Sequence, residues 1–185
     1  MVQDVRNSAA PLRAVRPWDG STPGVWVLDP AQSHFEYGVK HFWGLMTVRG
    51  HFTQVEGQAE VDDAGAVAAT VRIAAASLDS KQQQRDKHLR SADFFHVDRH
   101  PTVTFATRKV TALGADRVRV EGDLTAAGHT LPLTFEARLT QAGDQIGVDA
   151  EVTVDRTAFG MTWSPLGMAS SRALLVVHAQ FTHKG

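Results

Sequence analysis

The sequence predicts an all-β protein, a single antiparallel barrel of about eight strands with one short helix. Three observations point to it. Apolar and polar residues alternate with period two over most of the chain beyond residue 24, turn residues recur at close intervals, and a single polar stretch has helical character. Helices do not alternate with strands, which argues against a parallel sheet and leaves a closed barrel or a sandwich.

Residues 1–24 mix Pro11, Pro17, Pro23 and Gly24 with small polar residues and keep no period, so they are expected to form a flexible arm ahead of one domain over 25–185. Phe35, Tyr37, Val39 and His41 then share one strand face, and His34, Glu36, Gly38 and Lys40 share the other. Val55, Gly57, Ala59 and Val61 alternate with Glu56, Gln58 and Glu60. A turn at Asp62, Asp63 and Gly65 leads to Val67, Ala69, Val71 and Ile73, which together spell a hairpin. Val103 and Phe105 open the next row, followed by Val118, Val120, Gly122 and Leu124 and a turn around Ala127-Gly128. Leu131, Leu133, Phe135, Ala137 and Leu139 make another inward row, as do Ile146, Val148, Ala150, Val152 and Val154. The last strand, Ala173 to Thr182, is apolar on both faces for part of its length, which predicts an outer cover. Ser80 to Phe95 is the helical stretch, with Asp79 or Ser80 as cap, His88, Leu89, Ala92 and Phe95 near one face, and Pro101 blocking continuation.

Composition excludes several classes of function. The 185 residues carry a net charge of -1, with no basic footprint for a phosphate polymer, so no nucleic-acid partner is expected. With no cysteine there is no disulfide, thiolate nucleophile or cysteine-based zinc site. Met1 to Arg16 lacks the apolar core of ~7–15 residues that a secretory signal requires, and no stretch approaches the ~18 residues of a membrane-spanning helix. A cytoplasmic location and no integral membrane segment are therefore the expectation.

Candidate chemistry is sparse. Of nine histidines, His34/His41 and His178/His183 lack ligand spacing, and His96/His100 have helical spacing but fall beyond the expected helix end. No metal site is expected. No Gly-x-Ser-x-Gly elbow occurs, and Glu56, Glu60 and Glu136 lie on the polar phase of their strands, so neither a hydrolase triad nor a carboxylate pair is indicated. The sequence reads as a binding protein rather than an enzyme. Arg85, Asp86, Lys87 and His88 cluster within about one helical turn. They form either a lid for a polar headgroup or a solvated face with an internal ion pair.

One set of segments is distinctive in combination. Ser77-Leu78-Asp79-Ser80, the run Arg85-Asp86-Lys87-His88-Leu89-Arg90-Ser91-Ala92-Asp93-Phe94-Phe95, and Pro101-Thr102-Val103-Thr104-Phe105 resemble the signature of the YceI-like family of polyisoprenoid-binding, lipocalin-like proteins. Trp26-Val27-Leu28-Asp29-Pro30, Ser33-His34-Phe35, Val39-Lys40-His41, Arg49-Gly50-His51-Phe52, Gly122-Asp123-Leu124-Thr125 and Asp155-Arg156-Thr157-Ala158-Phe159-Gly160 extend the likeness in order along nearly the whole chain beyond the arm. Ser80 and His96 stand where threonine and aspartate are usual, and Met161 to Ser171 reads as a variable loop.

The resemblance implies an extended eight-stranded antiparallel barrel with a helix near one end. Its interior would take a long isoprenoid or fatty-acyl chain, often in a homodimer; an isoprenoid quinone is a further candidate for the ligand, and no cofactor is expected. On that basis Phe35, Tyr37, Val39, Phe52, Phe105, Leu133 and Phe135 are the candidates for the tail site. Lys40, His41, Arg49, Arg85 and His88 are the candidates for an anionic or quinone-like head. A structural or stress-response protein with a filled core, and an enzyme acting on an isoprenoid-like substrate, are the alternatives.

Overall fold

The computed structural model describes residues 22–184, so the expected arm falls, up to residue 21, outside the described residues. The first strand begins at Gly24, where the backbone takes a positive φ of 131° that glycine tolerates.

Eleven strand segments build one sheet that closes on itself. They are β1 (Gly24–Leu28), β2 (His34–His41), β3 (Met46–Phe52), β4 (Val55–Val61), β5 (Val67–Ala74), β6 (Leu78–Asp79), β7 (Thr102–Ala112), β8 (Arg117–Ala126), β9 (His129–Ala142), β10 (Gln145–Asp155) and β11 (Ala169–Lys184). Short interruptions divide three of the eight staves. Pro30–Gln32 forms a 3-10 turn between β1 and β2, Thr53-Gln54 separates β3 from β4, and Ala75–Ser77 forms a 3-10 turn between β5 and β6. Proline, which lacks an N–H, explains the first break, and the Asp29 carboxylate accepts from the Ala31 N–H to cap that turn. Closure comes through β11, whose C-terminal half pairs β1 from Phe181–Leu28 to Lys184–Val25 while its N-terminal half pairs β2. An eight-stave barrel of this kind has an interior that side chains can just fill or that can hold one small ligand.

The two ends differ. At the floor, short turns link the strands, and Trp26 and Val118 are among the largest fully buried side chains. At the roof the staves part company. β9 and β10 pair only from Arg138–Asp149 to Ala142–Gln145, and β6 pairs β3 but not β7. Across the second gap lies α1 (Gln83–Arg90), fixed by Arg90, which donates to the carbonyls of Ala76 and Leu78.

The helix is shorter than the expected span of Ser80 to Phe95. Lys81 takes a left-handed φ of 62°, which detaches Ser80 from the helix, and Gln82 is the N-cap with no side-chain bond. Beyond Arg90 the chain makes successive turns, with His96 again left-handed. The expected cover over the last strand is also missing among the described residues. Leu174 on the outer face is 39% exposed, and Val176 on the same face is half-buried, so β11 carries no full outer cover among the described residues.

Candidate functional site: an apolar tunnel and its polar mouth

Alternation turns one side chain in two toward the barrel axis, and those inward rows do not fill the space they enclose. A cavity of about 300 Å³ runs from Trp26, Val61 and Ile146 near the floor to Phe159 and Met161 near the roof. That is twice the ~150 Å³ at which an apolar protein cavity stays dry and accepts benzene, and it lies at the lower bound of ordinary ligand pockets. All seven residues singled out for a tail site, Phe35, Tyr37, Val39, Phe52, Phe105, Leu133 and Phe135, line it. Phe105 and Phe135 meet at 5.5 Å between ring centres, tilted by 54°. Phe105 finds its place because residue 122 is glycine; a Cβ there would stand 2.5 Å from the ring.

A second cavity of about 100 Å³ sits at the roof and shares Tyr37, Val39, Leu89, Phe94 and Arg156 with the first, so one wall serves both. Here the polar candidates divide. His41, Arg85 and His88 line this mouth. Lys40 and Arg49 do not; both are exposed on the outer face. The period of two explains this, since Lys40 shares the phase of Glu36 and Gly38, and Arg49 lies between Val48, which lines the mouth, and Gly50, which backs the Tyr37 ring.

The helix presents its charges in an arrangement that neither sequence-based reading anticipated. Asp86 is buried and accepts from both the backbone N–H and the hydroxyl of Ser80, at 2.9 and 2.5 Å. Arg85 folds back over the same serine, its Nε donating to Oγ and its Nη2 to the carbonyl, each at 2.7 Å. The internal Arg85–Asp86 ion pair is thus replaced by a shared serine. His88 meets Asp93 at 3.0 Å and lies edge-on against the rings of Trp163 and Phe94, at 4.4 and 5.1 Å.

Two residues at the mouth were not singled out from sequence. Arg156 is buried, with Nε donating to the Ser170 carbonyl and Nη1 to the Met161 carbonyl, and it reaches both cavities. Its signal was present in the segment Asp155 to Gly160, but an isolated arginine between a strand and a turn gives no clue that it points inward. Trp163 lies in the segment expected to be a variable loop.

Burial sets the electrostatics. It pushes the Tyr37 hydroxyl well above the ordinary tyrosine range, with Asp86 adding to the rise, so the phenol is neutral and available as a donor. Burial, followed by the Arg156 and Arg85 charges, lowers the His41 pKa below the usual histidine value. The site therefore offers an apolar channel topped by a neutral phenol, an imidazole that resists protonation and two guanidinium groups.

Fold and site together define a lipocalin-like barrel, a closed antiparallel sheet around an internal apolar cavity. The chain belongs to the YceI family: the YceI-like domain model matches residues 26–181. A UPF0312 protein of Vibrio cholerae is 34% identical over 122 residues, and the match spans 64% of each chain, less than two thirds of that relative's length. A UPF0312 protein of Pseudomonas aeruginosa is 33% identical over 153 residues, 78% of each chain. Among solved structures, Burkholderia cenocepacia BcnA superposes with a TM-score of 0.76 at 22% identity, covering 83% of this chain and 98% of that one. A polyisoprenoid binding domain from Saccharophagus degradans superposes with a TM-score of 0.73 at 14% identity, covering 86% and 98%. At these identities the two superpositions speak for the fold.

Proposed function

We propose that this protein binds a lipid-like small molecule, an isoprenoid, isoprenoid quinone or fatty-acyl chain, with the tail in the barrel and the head at the mouth, and so stores, carries or shields it. The observation that carries the reading is the unfilled apolar space along the barrel axis, about 300 Å³. Burying ~15 methylene-sized groups contributes about 12 kcal/mol at ~0.8 kcal/mol each. An association cost of about 4 kcal/mol leaves about 8, which corresponds to micromolar binding without any contact to the head. Tail length then governs affinity, while Tyr37, His41, Arg85, His88 and Arg156 select the head. The polyisoprenoid binding named for the Saccharophagus degradans domain is in keeping with this ligand class.

Native mass spectrometry of freshly purified protein tests the proposal. A mass adduct that organic extraction removes and identifies as an acyl or prenyl compound is the expected result. Protein that is free of adduct, and that also fails to take up added long-chain fatty acid or polyprenol, would make the barrel a filled structural core. A turnover-dependent change in the mass of the extracted lipid would make it an enzyme.

A further inference from the structure

Beside the mouth, two loops carry their apolar residues outward. Between β2 and β3 the chain runs Phe42-Trp43-Gly44-Leu45, and between β10 and β11 it runs through Leu166. Trp43, Leu45 and Leu166 are 84%, 88% and 90% exposed, among the most exposed large apolar residues of the described chain. The loops are tied at their bases, with the Phe42 N–H donating to the Met168 carbonyl at 2.8 Å, which sets both tips on the same side of the rim. Phe42, Trp43 and Leu166 all hold left-handed backbone, with φ of 50°, 55° and 53°. Such a conformation is unfavourable for a non-glycine residue, and here it presents apolar side chains to solvent.

Charge points to what meets them. Neither segment 40–49 nor segment 161–172 contains an aspartate or glutamate, while Lys40, Arg49 and Arg172 flank the tips, and none of these three cations is in an ion pair with a described residue. Protruding tryptophan and leucine fingers with cations behind them match the interface of an anionic bilayer, where apolar side chains enter the acyl boundary and cations meet lipid phosphates. A partner protein would ask instead for a broad surface with a packed apolar centre. No helix among the described residues is long and apolar enough to cross a membrane.

We propose that these paired tips dock the protein on an anionic phospholipid surface with the tunnel mouth toward the bilayer. Lys40 and Arg49, which stand outside the mouth, thereby gain a role as contacts to lipid phosphate. The docking does not depend on what the tunnel holds. The test is sedimentation of the full chain with vesicles of phosphatidylcholine alone or mixed with phosphatidylglycerol, together with tryptophan emission. Wild type should sediment with the mixed vesicles and shift its emission to the blue. The double variant Trp43→Asn/Leu166→Asn, in which asparagine accommodates left-handed backbone, should bind about tenfold more weakly or less. It should keep its melting profile and the lipid it co-purifies with, which separates this docking from occupancy of the tunnel. Lys40→Gln/Arg49→Gln should erase the preference for phosphatidylglycerol. Wild type remaining in the supernatant, or a double variant that binds as wild type does, would overturn the proposal. So would a wild-type dimer that the double variant converts to monomer without either binding vesicles, since the tips would then belong to a second copy.

Discussion

Tyr37 and Gly50 stand opposite each other in the β2–β3 ladder, so close that a Cβ on Gly50 would lie 2.5 Å from the phenol oxygen. The ring rests on bare backbone, and its hydroxyl is the one buried side-chain polar atom without a hydrogen-bond partner among the described residues. An orphaned hydroxyl costs about 1–3 kcal/mol, and this one lies on the wall common to tunnel and mouth.

Tyr37→Phe should therefore leave the ligand-free protein as stable as wild type, or more stable by about 1 kcal/mol. It should weaken binding of a lipid bearing a hydrogen-bond acceptor in its head and leave a hydrocarbon tail of equal length unaffected. Urea unfolding and a matched pair of ligands read the two effects. A clear loss of stability without ligand would mean that the hydroxyl is satisfied after all.

Leu133→Trp adds volume to the middle of the tunnel, where Leu133 lies near Phe135. The expected outcome is a folded protein, destabilised by about 1–3 kcal/mol, that retains shorter chains than wild type. Phe135→Asp should retain none, because a carboxylate makes the channel wall polar. Mass spectrometry of extracted lipid compares the chain lengths, and unchanged retention in folded Phe135→Asp would remove that residue from the tail site.

Asp86→Ala leaves the Ser80 N–H and hydroxyl without their acceptor in a buried place. A loss of roughly 1–3 kcal/mol is expected, concentrated in the segment that the Ser80–Asp86 contact secures. Hydrogen exchange should accelerate over residues 80–101 and stay slow along the β10–β11 ladder. Uniform acceleration would show that α1 and the barrel unfold as one unit.

His41 supplies a pH dependence. Its pKa is lowered in the folded protein by burial and by Arg156 and Arg85, so below the unfolded value of about 6.5 the unfolded chain binds more protons. Its contribution to stability is complete above that pH and declines as pH falls through the folded pKa. His41→Gln should flatten this part of the profile when melting temperature is followed from neutral to mildly acidic pH. An anionic head at the mouth would oppose the shift, so acidic-headed lipids should lose less affinity than neutral ones on acidification.

The barrel and its lining were legible because alternation is written residue by residue, and a closed sheet admits one inward phase. The rows from Phe35 to Val39 and from Leu131 to Leu139 name their own orientation. Lys40 and Arg49 show what happens when chemistry is chosen over phase: a cation attractive for a headgroup stood on the wrong parity. The latch between Ser80 and Asp86 was hidden because a left-handed Lys81 folds the chain back over six residues, and no propensity encodes that step. Arg156 and Trp163 come to the mouth by long-range packing of a strand end and a loop, which no local period describes. The same limit applied to β11, where apolar residues on both phases suggested a cover that the described residues do not supply.

The uneven closure of the sheet has a mechanical consequence. β10 and β11 stay in register for eleven consecutive pairs, from Gln145–Thr182 to Asp155–Arg172, whereas the roof gives up pairing between β9 and β10 and between β6 and β7. Backbone pairing is thus complete from base to roof along β10 and β11 and interrupted near the roof at two places. Widening the rim at these two gaps would break side-chain ties and no ladder bond, so a change of aperture there would not require the barrel to unfold.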